Sequence, residues 1–318
     1  MPRLLAPLLL LTACGGPATW STLDAVSGDA ALSGVWGSGP DDVWIVGGDT
    51  TGGRAFQGSA DNWAEEDVPD GSGLLVWAYG FGPDDVFAVG RGGTALRWDG
   101  LSWATLPTGT TEDLWGVFGF ASDDLWVVGG NVGDDVPVLL HWDGSTFSPV
   151  TLMPTQNNRS ATSLFKVWGV DGTLFAVGER GLIVQGSGTD WEQVAAGSKA
   201  DDDFVSLWGT SADQMVAVGG RSNARVATWD GSMWDTVAPS GVGGLNAVAM
   251  EGPETAVVGG VYGYVGTFDV ATGALTPEAV STGLDLHAMW SDGLGNTYAV
   301  GGVFAEPFDG VALLRSAR

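Results

Sequence analysis

The chain has 318 residues, a length that fits one large all-β domain or two ordinary domains. Its 12 basic and 38 acidic residues give a net charge of −26, and a surface this acidic repels phosphate backbones and anionic headgroups, which excludes nucleic acid as an expected partner. Cys14 is the single cysteine, so an internal disulfide is excluded too.

The first residues have the layout of a secretory signal. Arg3 supplies a positive charge, and the apolar stretch 4–11 is too short to cross a bilayer as a helix. The following L-T-A-C, at 11–14, resembles the bacterial lipobox, in which the signal is cut before the cysteine and the thiol is acylated. The resemblance implies a signal peptide over 1–13 and lipidation of Cys14. The alternative is an ordinary signal peptide with an incidental cysteine.

The lipobox resemblance also implies a location in the bacterial cell envelope. By resemblance to lipoprotein sorting in Gram-negative bacteria, Gly15 after the cysteine favours the outer membrane. The lipid anchor at Cys14 is the only membrane contact that we expect, because no later stretch has the roughly 20 apolar residues that a membrane span needs.

A repeat with a period of about 40 residues runs along the chain. Each copy is marked by an aromatic-Gly pair: Trp36-Gly37, Tyr79-Gly80, Phe118-Gly119, Trp168-Gly169 and Trp208-Gly209, with degenerate forms at Met250-Glu251 and Trp290-Ser291. Because each copy contains four short β-type runs, the repeat predicts a β-propeller.

The four strands of a copy follow from local signals. Strand 1 ends at the aromatic-Gly pair, and a turn rich in Asp follows, such as 82–85. Strand 2 is almost wholly apolar, which suits burial between neighbouring blades. Strand 3 ends in Trp-Asp-Gly, a hairpin signal. Strand 4 begins at an aromatic residue, for which we expect a core position rather than a sugar-stacking role: Trp63, Trp103, Phe147, Trp191 and Trp234.

The last copy stops after its third strand, at 311–316, and the segment 17–23 has the pattern of a fourth strand. The predicted fold is therefore an all-β, seven-bladed β-propeller of four-stranded antiparallel blades, in which an N-terminal strand completes the last blade and closes the ring. Closure protects strand edges that an open array would expose. We expect one propeller domain over 14–318, and a monomer.

The turns after strand 3 share the pattern Asp-Gly-x-x-aromatic, at 99–103, 143–147 and 230–234. This pattern resembles the Asp box of sialidase-like propellers, and the Val-Gly strand ends and blade length resemble the broader Asp-box and kelch-like repeats. The resemblance covers nearly all of the mature chain and implies the fold. The leading Ser-x-Asp is missing from most copies, and Gln-Gly replaces the Asp-Gly turn signal at 57–58 and 185–186, so no catalytic function is carried over.

Catalytic and cofactor signals are few. The two histidines, His141 and His287, cannot build a zinc site with one lipidated cysteine, and His141 is expected to be structural. Nucleophile-elbow, P-loop and dinucleotide motifs are absent, and the Asp pairs of the turns lack the spacing of a calcium loop. We therefore predict no cofactor and no metal.

In a four-stranded blade, the 2–3 loops and the 4–1 connections share one face, here called the loop face, and the 1–2 and 3–4 turns share the turn face. Guanidinium groups bind carboxylates and phosphates well, so the arginines expected on the loop face are candidate ligand-binding residues. They are Arg54, Arg91, Arg159, Arg180, Arg221 and Arg225. The alternative is that they balance acidic loops such as 134–135 and 201–203.

The expected function is a non-catalytic binding or scaffold propeller that engages an envelope protein or a glycan through its loop face. The alternative is a glycoside- or polysaccharide-acting enzyme that uses the loop carboxylates Glu112, Asp113 or Asp201, two of which would have to converge within roughly 5–10 Å. Sialidases pair an Arg cluster with a Tyr nucleophile, and Tyr262 and Tyr264 lie in the sixth 2–3 region, but the Arg-Ile-Pro signature of sialidases is absent. An assembly factor that holds another envelope protein during maturation is the remaining possibility.

Overall fold

The chain forms seven antiparallel sheets of four strands each in a computed structural model that describes residues 19–60, 62–131, 137–152 and 162–316. The first strand is β1 (Trp20–Thr22). Blade 1 contains β2 (Ala31–Gly39), β3 (Asp42–Gly48), β4 (Gly53–Ser59) and β5 (Asn62–Glu66). Blade 2 contains β6 (Leu75–Gly82), β7 (Asp85–Gly90), β8 (Ala95–Trp98) and β9 (Trp103–Thr105). Blade 3 contains β10 (Leu114–Ala121), β11 (Asp124–Gly129), β12 (Val138–Trp142) and β13 (Phe147–Pro149).

The remaining blades repeat this pattern. Blade 4 contains β14 (Leu164–Val170), β15 (Thr173–Gly178), β16 (Ile183–Ser187) and β17 (Asp190–Gln193). Blade 5 contains β18 (Phe204–Ser211), β19 (Gln214–Gly219), β20 (Arg225–Trp229) and β21 (Trp234–Val237). Blade 6 contains β22 (Leu245–Gly252), β23 (Thr255–Gly260), β24 (Val265–Asp269) and β25 (Leu275–Glu278). Blade 7 contains β26 (Leu286–Ser291), β27 (Thr297–Val303) and β28 (Asp309–Arg315).

The ring is closed as predicted. The first strand of each blade packs against the first strand of the next, and β26 of blade 7 packs against β2 of blade 1. The fourth strand of blade 7 is β1, which pairs antiparallel with β28 so that Trp20 lies opposite Arg315. The prediction of an all-β, seven-bladed propeller completed by an N-terminal strand is therefore confirmed.

The aromatic-Gly pairs have a packing explanation. The aromatic ring of one blade lies over the glycine of the next blade: a Cβ added to Gly80 would lie 2.8 Å from the ring of Trp36, and one added to Gly37 would lie 2.7 Å from the ring of Trp290. The rings also contact one another from blade to blade, and Trp168 and Trp208 stack with centroids 4.6 Å apart. The pair is therefore an interblade contact that only glycine can accommodate.

The residue pair that marks the sixth copy of the repeat was predicted one residue too late. In blade 6, Ala249 lies opposite Val257, as Trp208 lies opposite Val216 in blade 5, so the equivalent pair is Ala249-Met250 and not Met250-Glu251. Met250 is 4% exposed and belongs to the cluster against which Trp208 packs. In the other blades the large residue of the pair comes first, whereas here the small Ala249 precedes the large Met250. This reversed order led to the wrong register in the sequence-based prediction.

Gly80→Ala is expected to destabilise the fold by about 1–3 kcal/mol through overpacking. The new methyl group would lie 2.6 Å from the carbonyl oxygen of Asp85 as well as against Trp36. The measurement is the free energy of unfolding in denaturant. Gly39→Ala is the matched control, because a Cβ there has no neighbour within 4 Å; equal stability of the two variants would contradict the packing explanation.

The Asp residues of the turn face are structural. Oδ1 of Asp99 accepts hydrogen bonds from the backbone N–H groups of Leu101 and Ser102, both at 2.9 Å. Asp143 and Asp230 accept equivalent bonds in blades 3 and 5. The hydrogen bond from the Ser145 hydroxyl is the largest of several that lower the pKa of Asp143 to about 2. These aspartates hold the hairpin turns, as expected from their positions.

The second Asp of each predicted turn pair joins strands within a blade. Asp85 forms an ion pair with Arg97 at 2.8 Å, and Asp124 contacts Nε2 of His141 at 2.8 Å. The predicted structural role of His141 agrees with this contact and with its position beside the ring of Trp126, 4.4 Å away. Of the strand-4 aromatic residues, Trp103, Trp191 and Trp234 are buried in the core, whereas Trp63 and Phe147 are half-buried.

Candidate functional site

Five of the six candidate arginines lie within the described chain, at the loop-face ends of strands 2 and 3. Arg54 and Arg225 lie at the starts of β4 and β20, Arg221 follows β19, and Arg91 and Arg180 lie in short 3₁₀ turns. Arg159 lies outside the described residues, as does Cys14. The structure thus brings the five to one face, where their partners differ.

Three of these arginines are held by carboxylates of the same chain. Arg54 forms a bidentate pair with Glu65, at 2.6 and 2.9 Å, and this hydrogen bonding raises the pKa of Arg54. Arg221 contacts Asp203 at 2.5 Å, and Arg225 contacts Asp201 at 2.9 Å, which lowers the pKa of Asp201. The interpretation that these arginines balance acidic loops fits these three residues.

Arg91 has an aromatic partner. Its guanidinium lies 5.9 Å from the centroid of Phe304, and the Phe304 ring lies 4.4 Å from His287. Arg91 belongs to blade 2 and Phe304 to blade 7, with blade 1 between them, so the contact joins loops of two blades that are not adjacent. Burial lowers the pKa of His287, whose Nε2 lies 2.9 Å from the carbonyl oxygen of Gly302.

Three 3₁₀ turns shape the loop face, at Arg91–Gly93, Glu179–Gly181 and Val261–Gly263 in blades 2, 4 and 6. The middle residue of each turn donates its backbone N–H to an aspartate that precedes the first strand of the next blade. The pairs are Gly92 with Asp113 at 2.9 Å, Arg180 with Asp203 at 2.9 Å, and Tyr262 with Asp285 at 2.7 Å. Each bond locks two neighbouring blades together.

Sequence reasoning missed these aspartates as interblade contacts. The signal was present, because each of them stands immediately before the first apolar residue of an inner strand and each turn reads x-x-Gly directly after strand 2. Asp113 was instead considered as a carboxylate of an enzyme, together with Glu112 and Asp201. Asp113 is engaged by Gly92 and Asp201 by Arg225, whereas Oε2 of Glu112 is buried without a hydrogen-bond partner among the described residues.

A buried lysine was also missed. Lys166 is the third residue of the inner strand of blade 4, is 6% exposed, and places Nζ 2.8 Å from the ring centroid of Trp77 in blade 2. Since blade 3 lies between these two blades, the contact joins blades that are not adjacent. Burial holds the pKa of Lys166 well below its usual range. Among the described residues, Nζ has neither a carboxylate partner nor a hydrogen-bond acceptor.

Tyr262 and Tyr264, the tyrosines of the sixth 2–3 region, differ in their exposure to solvent. The side chain of Tyr262 is 85% exposed, while the hydroxyl of Tyr264 is buried without a partner in the part of the chain that the structure describes. Within the same residues, no group of three or more His, Cys, Asp or Glu side chains is placed to hold a metal ion. The described residues also contain no helix that is long and apolar enough to cross a membrane.

The fold and its loop face define a seven-bladed β-propeller. The chain is similar to YCF48 from Cyanidioschyzon merolae (TM-score 0.70, 12% identity, covering 93% of this chain and 98% of that chain). It is also similar to YCF48 bound to D1 peptide (TM-score 0.68, 11% identity, 96% and 98%) and to the WD40 β-propeller domain of Doa1 (TM-score 0.70, 11% identity, 95% and 98%). At these identities the likeness shows the fold alone. No family model matches the sequence, and no curated protein matches it.

Proposed function

We propose that this chain is a non-catalytic propeller that binds a protein partner through its loop face, anchored by lipid at Cys14 in a bacterial cell envelope. The observation that carries the proposal is the contrast between the two faces. On the turn face, two residues separate strands 1 and 2 in blades 1 to 6, and two to five residues separate strands 3 and 4, so its turns are short. The 4–1 connections of the loop face are longer and differ in length, from seven residues at 238–244 to fourteen at 150–163. Varied loops on a rigid scaffold are typical of binding surfaces.

The fate of the loop carboxylates favours binding over catalysis. A pair of carboxylates in a glycosidase must be free to meet the substrate. Asp113 and Asp201 instead hold neighbouring loops together, through the N–H of Gly92 and the guanidinium of Arg225. Among the similar structures, YCF48 is bound to a D1 peptide, which supports a protein segment rather than a glycan as the ligand.

The path of the chain supports display of the loop face. Strand 4 of a blade runs from the turn face to the loop face. The N-terminal end of β1 therefore lies on the turn face, at the outer edge of blade 7. An acyl group on Cys14 would tether the propeller from that side. The turn face would then lie toward an outer-membrane surface, and the loop face would point away from it.

The test uses photo-reactive amino acids at exposed positions on both faces, in cells of the source organism. Thr51 and Ala305 represent the loop face, and Leu101 and Met233 the turn face. We expect a discrete protein adduct from the loop-face positions and none from the turn-face positions. Adducts only from the turn face, or none from either face, would contradict the proposal.

Cys14→Ser is expected to release the protein from the membrane fraction, and its retention there would contradict the lipid anchor.

A further inference from the structure

Three tight turns of the turn face present an exposed apolar side chain at their tip. Leu101 in blade 2, Met233 in blade 5 and Leu294 in blade 7 are 87%, 62% and 71% exposed. The fold does not need an apolar residue there, because blade 3 has two polar residues, Ser145 and Thr146, at the equivalent positions of its 3–4 turn. Exposed apolar side chains grouped on one face often mark an interaction surface.

Each tip is held by an aspartate of its own turn. The backbone N–H of the apolar residue donates to Oδ1 of the aspartate that begins the turn. The pairs are Leu101 with Asp99 at 2.9 Å, Met233 with Asp230 at 2.9 Å, and Leu294 with Asp292 at 2.7 Å. An unpaired backbone N–H is costly to remove from water, so a tip whose N–H is already bonded enters an apolar environment at a lower cost.

The three tips are spread around the ring and are not gathered in one groove. They lie in blades 2, 5 and 7, so the steps from tip to tip around the seven blades are three, two and two. The turns that carry them are of similar length, with four residues at 99–102 and 230–233 and five at 292–296. Three such points around one face fit a flat partner better than a segment that runs along a single cleft.

The proposed lipid anchor lies close to the same face. The N-terminal end of β1 is on the turn face, and its first residue, Trp20, follows Cys14 by six positions. A chain of that length spans at most about 20 Å. An acyl group on Cys14 would therefore hold the turn-face end of β1 within this distance of a lipid surface.

The charges of the turn face select the kind of headgroup. In the described part of the chain, the 1–2 and 3–4 turns contain ten Asp or Glu residues and no Lys or Arg. Carboxylates repel anionic headgroups, whereas the ammonium group of phosphatidylethanolamine donates charge-assisted hydrogen bonds to them. A zwitterionic surface that offers ammonium groups is thus the complementary one.

We propose that the turn face rests on a lipid surface of zwitterionic headgroups, with Leu101, Met233 and Leu294 inserted among them. The aspartates that begin the three turns pair with ammonium groups at the same depth. This inference rests on the proposed function, which places the anchor at Cys14, and it adds a second contact that orients the tethered propeller. Because the tether makes this second contact intramolecular, a few side chains suffice for it.

The experiment couples the mature chain through Cys14, the single cysteine, to a maleimide lipid in vesicles of phosphatidylethanolamine and phosphatidylcholine. A diazirine on some of the acyl chains labels side chains that enter the apolar layer, and peptide mass spectrometry locates the adducts. We expect adducts at the three tips and none at Tyr262, which is 85% exposed on the loop face. Added phosphatidylglycerol is expected to reduce the labelling, most strongly at low salt.

A triple variant tests the tips directly. Leu101→Ser, Met233→Ser and Leu294→Ser in one chain are expected to reduce labelling of the three turns about tenfold or more, since burial of even one leucine side chain is worth about that factor. Tyr262→Ser is the matched control on the loop face and should leave this labelling unchanged. The triple variant should keep the wild-type melting temperature, because its three positions are exposed. A lower melting temperature would assign these side chains to the fold.

Several results would overturn the inference: equal labelling of the wild type and the triple variant, adducts at Tyr262, no adduct at any tip, or stronger labelling with phosphatidylglycerol. A discrete protein adduct from Leu101 or Met233 in cells would assign the tips to a protein partner instead. The chemical coupling does not depend on acylation in the cell, so the vesicle results test the lipid contact alone. Loop-face protein adducts in cells leave the proposed function standing even where this contact is absent.

Discussion

A chain that lacks residues 17–23 is expected to lose cooperative folding and to aggregate. The deletion removes β1, the fourth strand of blade 7, and leaves β28 as an unpaired edge from Ala312 to Arg315. It also removes the buried side chains of Trp20 and Leu23, which are 9% and 5% exposed. At about 2–3 kcal/mol for each, their loss amounts to roughly 5 kcal/mol, a third or more of the total stability of a typical domain.

The closing strand also covers a buried cation and its ion-pair partners. Nε1 of Trp20 donates to Glu278 at 2.8 Å, and Arg315, whose pKa is lowered by burial, pairs with Glu278 at 2.9 Å and with Glu251. The guanidinium of Arg315 lies 5.6 Å from the ring of Trp20. Deletion of β1 therefore uncovers an ion-pair network between blades 6 and 7 in addition to the strand edge.

Two point variants make the closure experiment quantitative. Trp20→Ala keeps the strand ladder and is expected to cost about 3–4 kcal/mol of unfolding free energy, whereas Thr22→Ala, at an exposed position of the same strand, should stay within about 0.5 kcal/mol. Denaturant titration gives the energies, and size-exclusion chromatography gives the association state. A deletion variant that keeps the wild-type melting temperature and remains monomeric would refute closure by β1.

Most of the fold could be predicted because its signals are local and repeated. The turn at Asp99-Gly100 and the apolar run 86–90 each specify a piece of backbone, and seven copies of such pieces specify a ring. The incomplete last copy even identified the closing strand. The one register error, at Ala249-Met250, arose because the large residue occupies the second position of the pair instead of the first. The pair makes an interblade contact, which cannot be recognised from the sequence of one blade.

The loop face was harder to predict because its contacts join residues that are distant in sequence. Arg54, Arg221 and Arg225 were placed on the correct face, but their partners lie 11 to 25 residues away in sequence, where no periodic pattern marks them. The left-handed backbone at Arg180 and Tyr262 is likewise invisible in residue types that seldom adopt it. In the sequence, Lys166 is one polar residue in an apolar strand. Its contact with Trp77 follows only from the arrangement of the blades in the propeller.

Lys166→Met is expected to stabilise the protein by about 2 kcal/mol at pH 7, because replacing a buried charge with an apolar side chain of similar length is often stabilising by about 1–4 kcal/mol. The contact with Trp77 recovers part of the desolvation cost, since a desolvated cation–π pair is worth about 2 kcal/mol. The exposed Lys199, the only other lysine of the chain, provides the matched control: Lys199→Met should change the stability by less than about 0.5 kcal/mol.

The pH dependence gives the sharper test. The pKa of Lys166 is lower in the folded chain than its value of about 10.4 in the unfolded chain, so the unfolded state binds more protons between these two values. Stability of the wild type therefore rises with pH across that window, by up to about 1.4 kcal/mol per pH unit, and Lys166→Met lacks this contribution. The advantage of the variant should shrink as the pH approaches 10.

Tyr79, whose pKa burial raises to about 12, titrates above this range and equally in both proteins. Unfolding free energies at pH 7, 8.5 and 10 measure the difference. A variant that is less stable at pH 7, or a difference that does not change with pH, would show that Lys166 keeps its charge at no cost.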